Sequence, residues 1–500
     1  MPFYSSIVHN SLLSSLTYRK GRFQLKWLEM GMALVIMLII LGYVSGVLVK
    51  GKRMFAVAGT GILIFGGHML LEGYRVQMIL FYALFAVILL CFIFGALFRK
   101  TIEMNERPKL WKRITALSVG TVTVAAAFAV PLYALPLIVL PSPTGPHHVG
   151  TVSYHWIDDS RAEVWTAAED DNREVMVRVW YPAKLVDNMR PAPYAHPARQ
   201  LKLLGKGQPL YVNAIIDSLT NVKTHSYLHL PVSSALSGYP VLLFSPGFGA
   251  SNFMYTSMTE NLASHGYIVV AVEHPYYTEI PTLFPDGRVT KEKVVIAEDS
   301  LVWDNMDEHM QLWVDDIKFV LHRLHELDKK DPQNILAGRL DLHRIGMLGH
   351  SFGGAAAAQV MHQDSRVLSG VNMDGFPFGA KIEDGLPHPF LYIQTSYSDD
   401  FANLELSEEE WSGSNEYSGL DLNNEYAREA AELVQRKEGI LKNGGMEWVV
   451  PGADHMSFSD IVLYSPLFGN RDLSLLEEVN EKLVRFFDDH VKAEHVHSAE

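Results

Sequence analysis

The pattern of apolar and polar positions changes character once along the chain. Up to about residue 140, apolar residues come in long runs that charges rarely interrupt. Four runs are near the roughly 20 apolar residues that a bilayer crossing needs: Leu28–Val49 with Glu29 at its edge, Met54–Leu71, Met78–Phe98 and Ile114–Leu140. They lack the polar face that a helix packed on a soluble core shows. Pro131 and Pro136 in the fourth run predict a kink or an early exit. The first run starts too far from Met1, and has too many successors, to be a cleaved signal peptide. The expectation is a tail over 1–27 and a four-helix transmembrane anchor over 28–140, with the lipid bilayer as its partner.

Beyond residue 140 the pattern shortens. Pro141–Pro146 is rich in turn formers and predicts a linker over 141–150. Val175–Tyr181 alternates as a half-buried strand does. Val241–Ser245 and Tyr267–Val272 are continuous apolar runs, as expected for strands covered on both faces. Arg344–Leu348, Ser369–Met373, Phe390–Thr395 and Trp448–Val450 are further strand candidates. Tyr255–Ser264, Asp315–Leu327, Phe352–Met361 and Leu473–His490 have helical spacing. Strands alternating with helices predict an α/β fold, a mostly parallel central sheet with helices on both faces, over 151–500. Two segments break the alternation, 276–312 and 398–445. Long insertions at strand ends of such a sheet read as lids over a ligand site.

Composition sharpens the division. The 500 residues hold 42 Lys and Arg against 56 Asp and Glu, and the net charge is −14. Residues 1–140 carry +10 and the remainder −24. The mean hydropathy of +0.07 therefore averages two different objects. An acidic domain is a poor partner for nucleic acid, whose binding rests on cations meeting phosphates. The single Cys91 excludes a disulfide scaffold. Lys50, Lys52, Arg53, Arg99, Lys100, Arg107, Lys109, Lys112 and Arg113 fill the first and third loops of the anchor. The bias of such cations to the cytoplasm predicts an extracytoplasmic N-terminus and an extracytoplasmic C-terminal domain on a cell membrane.

The chemistry is concentrated in a few motifs. Gly349-His350-Ser351-Phe352-Gly353 matches G-x-S-x-G between a predicted strand and a predicted helix, the setting of a nucleophile elbow. A serine needs a base, and the base needs an orienting acid, in the chain order Ser, acid, His for this fold. Asp374 closes the next strand, and His455 follows the last one. Asp454 and Asp460 compete as acids but lie beside His455 in sequence. His350 is inside the elbow and is read as pointing away from the nucleophile; His490 lies in the terminal helix. The tetrahedral intermediate needs two backbone N–H donors. Phe352 follows the nucleophile, and Phe248 lies in the glycine-rich Phe244–Ala250 loop after an early strand. No spacing of His, Cys or acids suggests a metal or a cofactor.

These pieces together resemble the plasma-type platelet-activating-factor acetylhydrolase family, within the α/β-hydrolase fold, over roughly residues 144–490. They are Pro143–Pro146 with Val149–Thr151, Val179–Pro182, Phe244–Ala250, Val272–His274, Gly349–Gly354, Met373-Asp374 and His455–Asp460. The resemblance implies Ser351 as nucleophile, Asp374 as acid, His455 as base, and Phe248 and Phe352 as oxyanion donors. It further implies calcium-independent hydrolysis of short or oxidised acyl esters of phospholipids. Pro246 stands where the family often has His, and Pro275-Tyr276 where it commonly has Arg-Asp. With its four apolar runs, the chain resembles membrane-bound bacterial members. The alternatives are a general carboxylesterase on small non-lipid esters, and a membrane sensor with an inactive hydrolase-like domain.

Overall fold

A computed structural model describes residues 27–45, 52–73, 78–97, 110–134, 138–166, 168, 170–195, 197, 200–204, 210–290, 294, 303–396, 398 and 422–493. The chain divides into two compact units. One is Met1–Ile138 with Leu210–Ser218 and Tyr464–Leu467. The other is Val139–Pro209, Leu219–Leu463 and Phe468–Glu500.

In the first unit, α1 (Trp27–Ser45), α2 (Lys52–Gly67), α3 (Ile79–Leu97) and α4 (Leu110–Ala134) follow the four apolar runs. They pack on one another through Met32, Ile36, Phe81 and Phe85. The expected transmembrane anchor is not supported: among the described residues no helix is long and apolar enough to cross a membrane. The helices α1 and α3 have 19 residues each, a rise of about 28 Å against a hydrocarbon core of about 30 Å. The 16 residues of α2 begin on Lys52 and Arg53. The 25 residues of α4 begin beside Lys112 and Arg113 and dilute their apolar character with Thr115, Ser118, Thr121 and Thr123. Pro131 does not end α4, which continues to Ala134. Pro136 and most loop cations used for orientation, including Lys50, Arg75, Arg99 and Arg107, lie outside the described residues.

The remaining elements run β1 (His148–Ala162), β2 (Asn172–Ala183), β3 (Pro191–Pro193), α5 (Leu201–Leu204), α6 (Leu210–Leu219), β4 (Lys223–Leu228), β5 (Tyr239–Ser245), α7 (Thr256–Ser264), β6 (Ile268–Glu273), α8 (Trp303–Lys329), β7 (Leu340–His350), α9 (Phe352–Gln363), β8 (Val367–Met373), β9 (Phe390–Thr395), α10 (Leu422–Leu441), β10 (Met446–Val450) and α11 (Leu473–Phe487). The strands form one sheet in the order β10-β9-β8-β7-β5-β6-β2-β1-β4-β3. From β10 to β6 every pairing is parallel. Every residue of β5 and β6 is buried, as a sheet covered on both faces requires. Val241, Leu243, Ile345 and Met347 join a core with α8 and α9. On the opposite face Gly346 leaves the space that Leu242 and Phe487 of α11 occupy; a Cβ there would come within 2.9 Å of that ring.

Three expectations change. The second unit does not begin at 151 after a linker. Thr144 N–H donates to Asn261 Oδ1 at 3.0 Å, Gly145 N–H to Ser264 Oγ at 2.9 Å, and β1 starts at His148. Segment 276–312 is not one irregular insertion, because Leu283 bridges Val289 and residues from Trp303 onward already belong to α8. The second half of 398–445 is α10, while 399–421 lies outside the described residues.

The strands around β2 are tied to α8 by buried charge. Arg173 of β2 donates two hydrogen bonds to Asp316, at 3.0 and 2.7 Å, and one to Glu163 at 2.9 Å. His274 Nδ1 donates to Asp316 at 2.9 Å and its ring stacks on Trp313, while the Ser245 hydroxyl meets Nε2 at 3.1 Å. Burial alone would raise the Asp316 carboxyl, but the Arg173 charge and the His274 bond hold it well below the usual range. Removing one partner leaves an uncompensated buried charge. Arg173→Leu is expected to cost about 3–5 kcal/mol of unfolding free energy in urea titration. A loss below about 1 kcal/mol would show that the ion pair does not hold these strands.

Candidate active site

The turn from β7 into α9 places Ser351. Its φ of 54° and ψ of −124° lie where a residue with a Cβ is strained, at a cost of about 1–3 kcal/mol. The surroundings impose this conformation. Ser351 N–H donates to Met373 O at 2.8 Å, and Gly354 N–H to Ser351 O at 2.8 Å. A Cβ at 349 would overlap the Gly353 carbonyl, one at 353 the Ser245 carbonyl, and one at 375 the Ser351 carbonyl. The glycines thus let β5, β7, α9 and the end of β8 converge on one hydroxyl.

Asp374 follows β8, again with φ of 54°. Its buried carboxylate accepts Thr395 N–H at 2.9 Å and His455 Nδ1 at 2.7 Å. Burial opposes its ionisation, but the His455 bond and charge, with the Thr395 N–H, hold the carboxyl below its ordinary value. His455 opens a short 3-10 turn after β10, capped by Asp454, which accepts Met456 N–H at 3.0 Å. With Nδ1 donating to the carboxylate, Nε2 is free to accept, and it lies 3.0 Å from Ser351 Oγ. Sequence order therefore becomes a hydrogen-bonded series of Ser351, His455 and Asp374.

The residues expected to supply the oxyanion donors adjoin this turn: Phe352 follows Ser351, and Phe248 follows Gly247. Gly247 approaches so closely that a Cβ on it would lie 3.1 Å from Ser351 Cβ. Phe248 is next, and Gly249, with φ of 83°, donates to Tyr277 O at 2.9 Å. Phe352 is the first residue of α9, and its ring meets that of Phe248 edge-on at 6.1 Å.

The competing residues have other roles. Asp460 is buried and accepts Ser257 N–H at 3.2 Å and Tyr194 O–H at 3.1 Å. His490 packs on Phe486. His350 does not point away from the site: its Nε2 meets the His455 carbonyl at 2.8 Å. An aromatic wall was not anticipated from sequence. Phe352 meets Trp313 at 4.9 Å and Phe378 at 5.8 Å, and Phe378 meets Trp303 at 4.9 Å. Arg436 of α10 pins this loop, pairing with Asp307 at 2.8 Å and donating to Gly379 O at 2.7 Å. The only sequence signal was Phe376-Pro377-Phe378 close after Asp374. Among the described residues no group of three or more His, Cys, Asp or Glu is placed to hold a metal ion.

A family model described as platelet-activating factor acetylhydrolase, isoform II, matches residues 135–484. A protein of Arthroderma benhamiae named "probable 1-alkyl-2-acetylglycerophosphocholine esterase" is 34% identical over 161 residues, 31% of this chain and 37% of that one. The platelet-activating factor acetylhydrolase of Cavia porcellus is 26% identical over 248 residues, 45% of this chain and 56% of that one. The matches to these two relatives thus cover less than two thirds of their lengths. A solved ferulic acid esterase from Streptomyces cinnamoneus aligns with a TM-score of 0.51 and 27% identity, covering 71% of this chain and 94% of that one.

The packing of the elbow has a direct consequence. Gly349→Ala is expected to lower unfolding free energy by on the order of 3 kcal/mol, because the added methyl meets a backbone carbonyl that cannot retreat. Urea denaturation checks this; an unchanged midpoint would mean the turn has slack.

Proposed function

Since the chain belongs to the platelet-activating factor acetylhydrolase isoform II family, we propose that it is a serine hydrolase of carboxylic esters. Its substrates in this reading are phospholipid-like esters with short or oxidised acyl groups. The observation that carries it is the series Ser351 Oγ, His455 Nε2, His455 Nδ1 and Asp374, at 3.0 and 2.7 Å. His455 takes the Ser351 proton as Oγ bonds to the ester carbonyl carbon. The carbonyl oxygen becomes an oxyanion facing the N–H groups of Phe248 and Phe352. His455 then gives its proton to the leaving alcohol as the carbon–oxygen bond breaks. Water repeats the sequence on the acyl-enzyme and releases the acid. Asp374 keeps His455 in the tautomer that can accept at Nε2.

The printed names of the relatives support the lipid ester; within the aromatic cluster the half-buried Phe378 and Trp303 keep some apolar surface, while Phe352 and Trp313 are buried behind them. The likeness to a ferulic acid esterase favours a second reading, hydrolysis of small non-lipid esters. A panel of acetyl-phospholipid, long-chain phospholipid and simple esters separates the two: a preference for acetyl-phospholipid supports the first.

Lipid contact is proposed for the helical unit, with the catalytic unit outside the cytoplasm. Support comes from large apolar side chains exposed on its helices, among them Leu34, Leu63, Leu90 and Val122, and from apolar runs in the sequence longer than the helices within them. Retention in the membrane pellet after alkaline carbonate, and protease accessibility of the catalytic unit from outside, are expected. Release into the supernatant would overturn the lipid contact.

Ser351→Ala is expected to abolish p-nitrophenyl acetate hydrolysis and fluorophosphonate labelling. Asp374→Asn is expected to lower kcat by about 10⁴-fold through the wrong tautomer. Unchanged turnover in Ser351→Ala would sink the assignment.

A further inference from the structure

His350 and Tyr255 form a link that the catalytic steps above do not use. The direction of each bond follows from its fixed ends. The His455 carbonyl can only accept, so His350 Nε2, 2.8 Å away, carries the proton. His350 Nδ1 is then a bare acceptor and takes the Tyr255 O–H at 2.8 Å. The Tyr255 oxygen in turn accepts Gly247 N–H, which can only donate, at 3.1 Å. Both side chains are buried, at 3% and 1% exposure. Burial, then the neighbouring His455, push His350 down to about 3, so the ring stays neutral and its acceptor nitrogen stays available.

The ends of this link belong to different loops, joined elsewhere only through the Asp460–Ser257 bond and through their shared contact with Ser351 among the contacts described above. Gly247 follows β5 and His455 follows β10, and β7, β8 and β9 lie between those strands. Yet the base, through Ser351 and the leaving oxygen, and the oxyanion turn, through the carbonyl oxygen, must act on one ester group within a fraction of an ångström. We propose that His350 and Tyr255 are positioning residues that lock the main chain of the base His455 to the oxyanion turn at Gly247, directly before Phe248. This rests on the esterase reading. His350 also packs against the base, its ring centroid 4.6 Å from that of His455.

The test uses the purified full-length chain in detergent and p-nitrophenyl acetate. Wild type and Ser351→Ala are compared with Tyr255→Phe, His350→Leu, His350→Gln and the double variant Tyr255→Phe/His350→Leu. Each of Tyr255→Phe and His350→Leu is expected to lower kcat by about 10- to 100-fold while KM stays within about twofold. His350→Gln, whose amide can both donate to the carbonyl and accept from the phenol, is expected to recover kcat to within about fivefold of wild type. The double variant is expected to be no more than about threefold below the poorer single, because both changes cut one chain.

Wild-type kcat in both single variants would overturn the proposal. Losses that multiply in the double variant would do so too, as would a His350→Gln no better than His350→Leu at equal thermal midpoint. If His350→Leu does not fold, Tyr255→Phe, which removes one oxygen, decides alone. Failure of the esterase reading is distinct: there Ser351→Ala and wild type hydrolyse the ester equally, whatever the other variants do.

Discussion

The turn from β7 into α9 is the constraint on which the rest depends. Four segments of backbone pass within van der Waals distance of one another there, which only residues without a side chain allow. Gly349, Gly353 and Gly375 each occupy a place where a methyl group would overlap a carbonyl oxygen. Ser351, the one residue of the turn that must keep its side chain, carries the strain, with φ of 54°. Strain of this kind persists only when the surroundings over-determine it. Here they do so through the hydrogen bonds of Ser351 to the end of β8 and to the first turn of α9.

The parallel strands bring the partners. Each strand of the β7-β8-β9-β10 series ends at the same edge of the sheet, so residues following β8 and β10 converge on the one following β7 even though they are far apart in sequence. Precision then comes from short polar contacts. Thr395 fixes Asp374, Asp454 caps the turn of His455, and His350 grips its carbonyl. Under the opposite flank, Arg173, Asp316, His274 and Ser245 form a buried polar series that ends two residues before Gly247 of the oxyanion turn. Buried charge of this kind is costly to form and more costly to break. It ties the antiparallel β1 and β2 to the parallel half that carries the site.

Much of this was legible in the chain. The continuous apolar runs of β5 and β6 announced strands covered on both faces, and the G-x-S-x-G motif between a strand and a small-residue helix announced the elbow. The order of Ser351, Asp374 and His455 was enough to choose the acid and the base. Less legible was β1, where polar residues such as His155, Asp158 and Asp159 mask the alternation, and the docking of Thr144 and Gly145 on α7. Pattern and structure part most over the first 140 residues, where apolar runs predict crossings and among the described residues no helix is long and apolar enough for one. His350 was misjudged because a motif gives a residue's neighbours in sequence and not the carbonyl its ring meets.

By itself, the sequence determined which side chains could do chemistry and on which elements they sit, because hydrophobic period and glycine placement are local properties of the chain. Tertiary structure decided everything that depends on approach between distant segments. It made His455 Nε2 an acceptor for Ser351, since Nδ1 is committed to Asp374. It turned His350 from a bystander into a strut between two loops, and it closed the aromatic wall by pinning Phe378 through Arg436 and Asp307. Such contacts join residues tens to hundreds of positions apart, and no local pattern encodes the distance between them; only the register of the sheet does.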